Sequence, residues 1–265
     1  MKTVILCGGR GTRLNEETEY RPKPLVEIGG KPILWHIMKI YEDQGFNEFI
    51  LCLGYKGNMI KEYLLNITEM ANDIILDLKN QQRLSLQDNM KLCGKVYLIN
   101  TGLNTMTGAR VARIKKYIGD DEDFFLTYGD GVGNINLGEL YEHHKKTGAI
   151  VTLTGVKPIY PFGLLQIEGD IVKKFDEKPL MKDCVSGGFM VCNKKIFDYL
   201  SESEDCILEQ DPLKKIAEEG KMAVYEHQGY WCCMDNQKHV DTLNKTYGEG
   251  IRLNGKAPWE EVKGE

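Results

Sequence analysis

Apolar and polar positions fall into blocks along the chain, and the blocks read as a strand–helix–strand series. Residues 3–6 form a short β-branched run that stops at Gly8-Gly9, the pattern of a buried strand closed by a glycine turn. A basic, turn-rich loop follows over residues 10–30. Pro32 then stands where a helix can start, and Ile33, Ile37 and Ile40 recur at helical spacing. Residues 49–53 predict a second strand and 59–65 a second helix. Further on, 96–99, 124–127 and 149–154 predict strands, with helices over 111–118 and 137–146. This alternation predicts an α/β fold with a mostly parallel sheet.

The last third has a different rhythm. Residues 164–167, 171–175, 188–191 and 222–225 predict short strands separated by turns, so a more antiparallel region packed on the first half is expected. Residues 201–211 read as an acidic loop and 236–253 as a long C-terminal helix. The polar stretch 79–91, without glycine or proline, reads as an excursion or an assembly surface. With no repeat and no flexible linker, the 265 residues read as one domain, with a core over 1–155 and an elaboration over 156–265.

Composition narrows the function classes. Lys and Arg number 34 against 39 Asp and Glu, a formal net charge of −5. An acidic balance argues against general nucleic-acid binding, which needs a basic surface to release phosphate counterions. A 42% hydrophobic content argues against disorder, and no apolar run is long enough to span a membrane. The apolar run at the N-terminus meets Gly8-Gly9 too soon for a signal peptide, so a cytoplasmic protein with all eight cysteines reduced is expected. His143-His144 on a polar helix face and the vicinal pair Cys232-Cys233 lack the spacing of a zinc site and read as structural.

Four segments carry chemistry. The first is Leu6-Cys-Gly-Gly-Arg-Gly-Thr-Arg-Leu14, followed by Pro22-Lys-Pro24. Glycines after a strand let the backbone approach a polyphosphate, and Arg13 and Lys23 add positive charge there. A dinucleotide fingerprint would need a third glycine where Leu14 stands, which disfavours a nicotinamide-linked oxidoreductase. A P-loop match at 250–256 fails because Ala257-Pro258 follows. The second segment is Gly129-Asp130, at the carboxyl end of a predicted strand. Asp130 either holds Mg²⁺ or makes a simple Asp-Gly turn. The third is Asp176-Glu-Lys-Pro179, where Lys178 either orients an anion or is a solvated charge. In the fourth, Trp231-Cys-Cys-Met-Asp235, Asp235 either is a functional carboxylate or caps the following helix.

Taken together, these segments resemble the sugar-phosphate nucleotidyltransferases. The order is Gly-Gly-x-Gly-Thr-Arg-Leu, Pro-Lys-Pro, Gly-Asp, Glu-Lys-Pro and Trp-x3-Asp. Residues 26–38, Gly54-Tyr-Lys-Gly57, Thr105-Met-Thr-Gly108, residues 127–132 and Lys256-Ala-Pro-Trp259 are similar to the branch that makes CDP-glucose. The resemblance implies a Rossmann-like α/β fold with a mixed, mostly parallel sheet and a smaller antiparallel C-terminal elaboration. It implies CTP and α-D-glucose 1-phosphate as substrates, CDP-glucose and pyrophosphate as products, Mg²⁺ as cofactor and a homohexamer. By the same resemblance Leu6, Cys7, Gly8, Gly9, Arg10, Gly11, Thr12, Arg13, Lys23, Thr105, Met106, Thr107, Gly108, Arg110 and Gly129 bind the nucleotide. Glu177, Lys178, Gly187 and Gly188 bind the sugar phosphate, and Asp130 and Asp235 bind the metal. Arg13, Lys23, Asp130 and Lys178 would carry catalysis.

Ionic chemistry agrees with that reading. A phosphate nucleophile is already ionised near neutral pH, so positioning and charge neutralisation do the work of a general base. Four places depart from the branch: Arg10, Ser186, Asn236 and the loop Gly163-Leu-Leu-Gln166. The last three lie toward the acceptor, so CTP with a different phosphate acceptor is the alternative. A non-catalytic nucleotide-binding subunit is a further alternative, opposed by the intact Arg13, Lys23, Asp130, Lys178 and Asp235.

Overall fold

Uninterrupted apolar runs cannot leave one face in water, so they belong at the centre of a sheet covered on both sides. The computed structural model, which describes residues 1–80, 82–85 and 92–262, places them there. The strands among the described residues are β1 Thr3–Leu6, β2 Glu27–Ile28, β3 Lys31–Pro32, β4 Glu48–Leu53, β5 Ile74–Asp77, β6 Gln82–Ser85, β7 Lys95–Asn100, β8 Asp123–Tyr128, β9 Gly131–Gly133, β10 Val151–Val156, β11 Leu164–Glu168, β12 Ile171–Asp176, β13 Val185–Asn193, β14 Met222–Glu226 and β15 Trp231–Cys233. The helices are α1 Asn15–Thr18, α2 Ile33–Glu42, α3 Gly57–Leu65, α4 Ile67–Ala71, α5 Thr107–Arg113, α6 Lys115–Ile118, α7 Leu137–Thr147, α8 Asp211–Glu218 and α9 Gln237–Asn254.

Seven strands form the central sheet in the order β14-β10-β13-β8-β1-β4-β7. All are mutually parallel except β13, which runs antiparallel between β10 and β8. The fold is therefore the expected α/β class with a mixed, mostly parallel sheet. β1 is fully buried, flanked by β4 and β8, with Thr3 beside both Phe49 and Phe125. Each face of the sheet carries its own core. Ile33, Ile37 and Tyr41 of α2 pack on one face with Leu140, Leu243 and Trp259. Val111, Ile114, Ile118, Phe197 and Ile216 cover the other.

The C-terminal part departs from the sequence reading in its connections. The run at 188–191 is the middle of the nine-residue β13, and β14 pairs in parallel with β10, extending the main sheet. Strands from both sides of residue 155 thus share one sheet. The antiparallel elaboration is the β11–β12 hairpin together with the short β9–β15 ladder. Helix α8 escaped prediction because the acidic residues around it mask its apolar stripe. The helix expected over 111–118 begins at Thr107 and breaks at Ile114, since Gly108 disguises a helical start. A Cβ on Gly108 would lie 2.7 Å from Cys206 Sγ.

His144 corrects the expectation of a polar helix face. Leu137, Leu140 and His144 form the buried stripe of α7, and His144 Nδ1 lies 2.8 Å from Thr152 Oγ1. In the 79–91 stretch, residues 82–85 pair with β5 as a hairpin, while 81 and 86–91 lie outside the described residues. All eight cysteines are free thiols. Among the described residues no helix is long and apolar enough to cross a membrane.

Candidate active site

Because β1 and β8 are adjacent and parallel, their carboxyl ends deliver Cys7-Gly8-Gly9 and Gly129-Asp130 to one edge of the sheet. The Gly129 N–H donates to Leu6 O at 3.1 Å. A Cβ at Gly129 would come within 3.0 Å of both Leu6 O and Pro24 Cγ, so only glycine lets the two turns close on each other. Between them opens a cavity of about 190 Å³ lined by Leu6, Cys7, Gly8, Gly9, Lys23, Thr105, Met106, Thr107, Arg110, Gly129 and Asp130. Pro24 and Tyr128 complete its wall.

Asp235 reaches this edge from far along the chain. In the β9–β15 ladder Gly131 faces Cys233, and the Met234 N–H donates to Asp130 O at 2.8 Å. The next residue, Asp235, therefore stands beside Asp130. It is not the helix cap: the Asn236 side chain accepts the His239 N–H and caps α9. That duty also accounts for Asn236 locally, since Asn and Thr are both good caps.

The two carboxylates share one cation. Lys23 Nζ donates to Asp130 Oδ2 at 2.7 Å and to Asp235 Oδ1 at 2.9 Å, and its side chain is only 13% exposed. Arg13 reaches Asp235 Oδ2 at 3.2 Å from a position 78% exposed. Burial works against the Lys23 ammonium, but Asp130 and Asp235 outweigh it and raise its pKa above the ordinary lysine value. Burial likewise opposes ionisation of Asp235, and Lys23 then Arg13 outweigh it, so its pKa falls.

Among the described residues no group of three or more His, Cys, Asp or Glu side chains is arranged to hold a metal ion. Asp130 and Asp235 offer a different set: two carboxylates converging on one cation position. That donor set suits Mg²⁺, which takes one or two carboxylates and completes its shell with water and phosphate oxygens.

Arg110 is 3% exposed, and its guanidinium bonds chain carbonyls. Nη1 donates to Leu53 O, Gly102 O and Thr101 Oγ1, and Nη2 donates to Gly8 O. It thereby ties the glycine turn to the ends of β4 and β7. Arg10 donates to Asn104 Oδ1 at 2.9 Å, bridging the same turn to the 101–105 loop at the surface. Arg10 and Thr12 line a neighbouring shallow cavity. Gly11 takes φ +63° beside Lys23.

The expected sugar-phosphate residues are more dispersed. Gly187 and Gly188 are buried in the middle of β13. Gly187 O accepts the Trp231 Nε1–H at 2.7 Å. Gly188, at φ +81°, leaves room for the Tyr128 ring, which a Cβ would approach to 2.8 Å. Glu177 and Lys178 sit in an exposed loop, paired with each other at 3.4 Å. Neither lines the cavity above nor a second one of about 430 Å³ at the carboxyl ends of β10 and β14. Gly155, Lys157, Cys184, His227 and Trp231 are among the residues lining that second cavity. Ser186 is exposed and lies opposite Gly155 in the β10–β13 register. Sequence reasoning missed Tyr128 and Glu209: the Tyr128 hydroxyl donates to the Glu209 carboxylate. The only signal was Tyr128 directly before Gly129-Asp130.

The nucleotidyl transferase family model matches residues 2–239. A probable glucose-1-phosphate cytidylyltransferase of Bacillus subtilis (strain 168) is 46% identical over 258 residues, covering 96% of this chain and 98% of that protein. The glucose-1-phosphate cytidylyltransferase of Salmonella typhi is 42% identical over 261 residues, covering 98% and 99%. Among solved structures, HddC from Yersinia pseudotuberculosis superposes with a TM-score of 0.66 at 25% identity, covering 92% of this chain and 98% of that one.

Proposed function

This chain belongs to the nucleotidyl transferase family, and on that premise we propose that it transfers CMP from CTP to α-D-glucose 1-phosphate, releasing pyrophosphate. The observation that carries the reading is the Lys23 ammonium held between Asp130 and Asp235 at the mouth of a glycine-lined cavity. Near-full-length identity to two glucose-1-phosphate cytidylyltransferases supports the choice of substrates.

In the proposed reaction a phosphate oxygen of glucose 1-phosphate attacks the α-phosphorus of CTP in line. The new P–O bond forms as the bond to the β-phosphate oxygen breaks, and pyrophosphate carries away the electron pair. No proton needs removal from the nucleophile, because a phosphate monoester is largely dianionic near neutral pH. The obstacle is repulsion between two polyanions. Lys23 and Arg13 offset it on the triphosphate, and Lys178 holds the sugar phosphate from its exposed loop. Gly8, Gly9 and Gly129 admit the nucleotide close to the backbone. Asp130 and Asp235 would hold Mg²⁺, which when bound neutralises charge on the triphosphate.

The enzyme works as a homo-oligomer, with a hexamer favoured. Exposed apolar side chains on β5 (Ile75, Leu76) and on the β11–β12 hairpin (Leu165, Ile167, Phe175) support self-association. Its place is the cytoplasm, in keeping with eight free thiols. A different acceptor is the second reading, favoured by Ser186, whose register partner Gly155 lines the second cavity.

Pyrophosphate release tests both. CTP, UTP, dTTP and ATP are each paired with glucose 1-phosphate and other phosphates in the presence of Mg²⁺. Turnover confined to CTP with glucose 1-phosphate is expected. Turnover with CTP and another phosphate would favour the second reading, and no release with any pair would overturn both.

A further inference from the structure

The 201–211 loop lies against the nucleotide-side helix and takes up two N–H groups at its start. The Met106 N–H donates to Glu204 O at 2.8 Å and the Ala109 N–H to Cys206 O at 3.1 Å. These N–H groups at the start of α5 would otherwise lack partners. Arg113 Nη2 donates to Glu202 O, and the Leu208 N–H donates to Thr107 Oγ1 at 3.0 Å. Near its end the loop carries Glu209, whose carboxylate receives two hydroxyls. Thr107 Oγ1 donates to Oε2 at 2.6 Å, and the Tyr128 hydroxyl donates to Oε1.

Those two hydroxyls come from two separate elements that both line the nucleotide cavity. Thr107 opens α5, directly after Thr105 and Met106. Tyr128 ends β8, directly before Gly129-Asp130. No hydrogen bond links Thr107 directly to Tyr128 among those described; Glu209 joins them. The Tyr128 ring also lies against Gly188, where a Cβ would come to 2.8 Å from it. A carboxylate accepting two short hydroxyl bonds forms a charge-assisted bridge with a set span.

We propose that Glu209 is a positioning residue for the nucleotide: it sets the width of the cavity by holding Tyr128 and Thr107 at a fixed separation. This rests on the proposed cytidylyl transfer, which supplies the nucleotide, but Glu209 belongs to none of the motifs that carry that reading. Its effect falls on nucleotide binding and leaves the acceptor side untouched.

Calorimetric titration with CTP and Mg²⁺, without a phosphate acceptor, tests it, with UTP, dTTP and ATP run in parallel on the wild-type protein. The variants are assayed with whichever nucleotide the wild type binds. Glu209→Ala should weaken that binding about tenfold, the size of one charge-assisted hydrogen bond. The KM for glucose 1-phosphate should change less than about twofold, within the scatter of distant, independent sites. Tyr128→Phe should weaken binding alone but add nothing to Glu209→Ala, because both cut the same bridge. Glu209→Gln, which can accept only one hydroxyl on its amide oxygen, should fall between. It also serves as the probe should Glu209→Ala not fold. Wild-type affinity in Glu209→Gln and Glu209→Ala, or an equal rise in both substrates' KM values, would overturn the proposal. Failure of the wild type to bind any of the four nucleotides would overturn it together with the cytidylyl reading, whereas binding of a nucleotide other than CTP would overturn that reading alone.

Discussion

The Lys23 ammonium lies 2.7 Å from Asp130 Oδ2, and that contact fills the position a divalent cation would take between Asp130 and Asp235. A divalent cation held by those two carboxylates, as proposed above, would compete with the lysine for them. Lys23→Met should bind Mn²⁺ in the absence of nucleotide on the order of tenfold more tightly than the wild type, equivalent to about 1.4 kcal/mol. Titration of free Mn²⁺ by electron paramagnetic resonance reads this directly. Unchanged or weaker binding would show that the lysine does not hold that position. Asp130→Ala should lose most turnover with its melting temperature largely kept.

Arg110 is buried and bonded to three chain carbonyls and one hydroxyl. Arg110→Ala leaves these acceptors without partners and opens a void beneath Gly8. We expect a loss of about 2–4 kcal/mol in unfolding free energy, with nucleotide affinity falling as the glycine turn loosens. Denaturant unfolding checks the first part. A variant within about 0.5 kcal/mol of wild type, the range of an ordinary surface change, would refute it.

His36 makes stability depend on pH. It is buried against Trp35 and Trp259, its Nε2 donates to Ile28 O at 2.8 Å, and burial pushes its pKa down to about 4. Unfolded, the ring takes a proton near pH 6.5. Between those values the unfolded chain binds the extra proton, so stability is full above pH 6.5 and falls as the pH drops toward 4. The total is roughly 3 kcal/mol. His36→Gln should flatten that part of a melting-temperature profile relative to wild type. Parallel profiles for the two proteins would exclude His36 as the source.

Lys178 pairs only with Glu177, its neighbour, among the ion pairs of the described residues. Removing it should cost less than about 0.5 kcal/mol of stability. If it holds the acceptor, Lys178→Ala raises the KM for glucose 1-phosphate about tenfold or more and leaves CTP affinity unchanged. Steady-state kinetics with each substrate varied separately distinguishes this from a general loss, and an unaltered acceptor KM would remove Lys178 from the site.

What could be read without the fold was local. An apolar run ending in glycines is a buried strand with a tight turn whatever lies beside it, so Gly8-Gly9 and Gly129-Asp130 were legible, as was the positive charge of Arg13 and Lys23. Side-chain period and backbone freedom are properties of a few neighbouring residues. The order of motifs added the family. Asp235 was ambiguous because its role depends on a partner far away: only the β9–β15 register brings it to Asp130 and hands the capping of α9 to Asn236. His144 looked polar until the stripe of α7 turned it inward onto Thr152. Arg110 was expected among the nucleotide-binding residues; it lines the cavity, and only the fold shows its guanidinium bonded to Leu53, Gly102 and Gly8. Glu209 left no signal, since its meaning lies in two hydroxyls delivered by separate elements. Pairing of distant strands is chosen by burial summed over the whole sheet, a quantity no single segment contains. The chemistry available was thus written in the chain, and which groups meet was decided by packing.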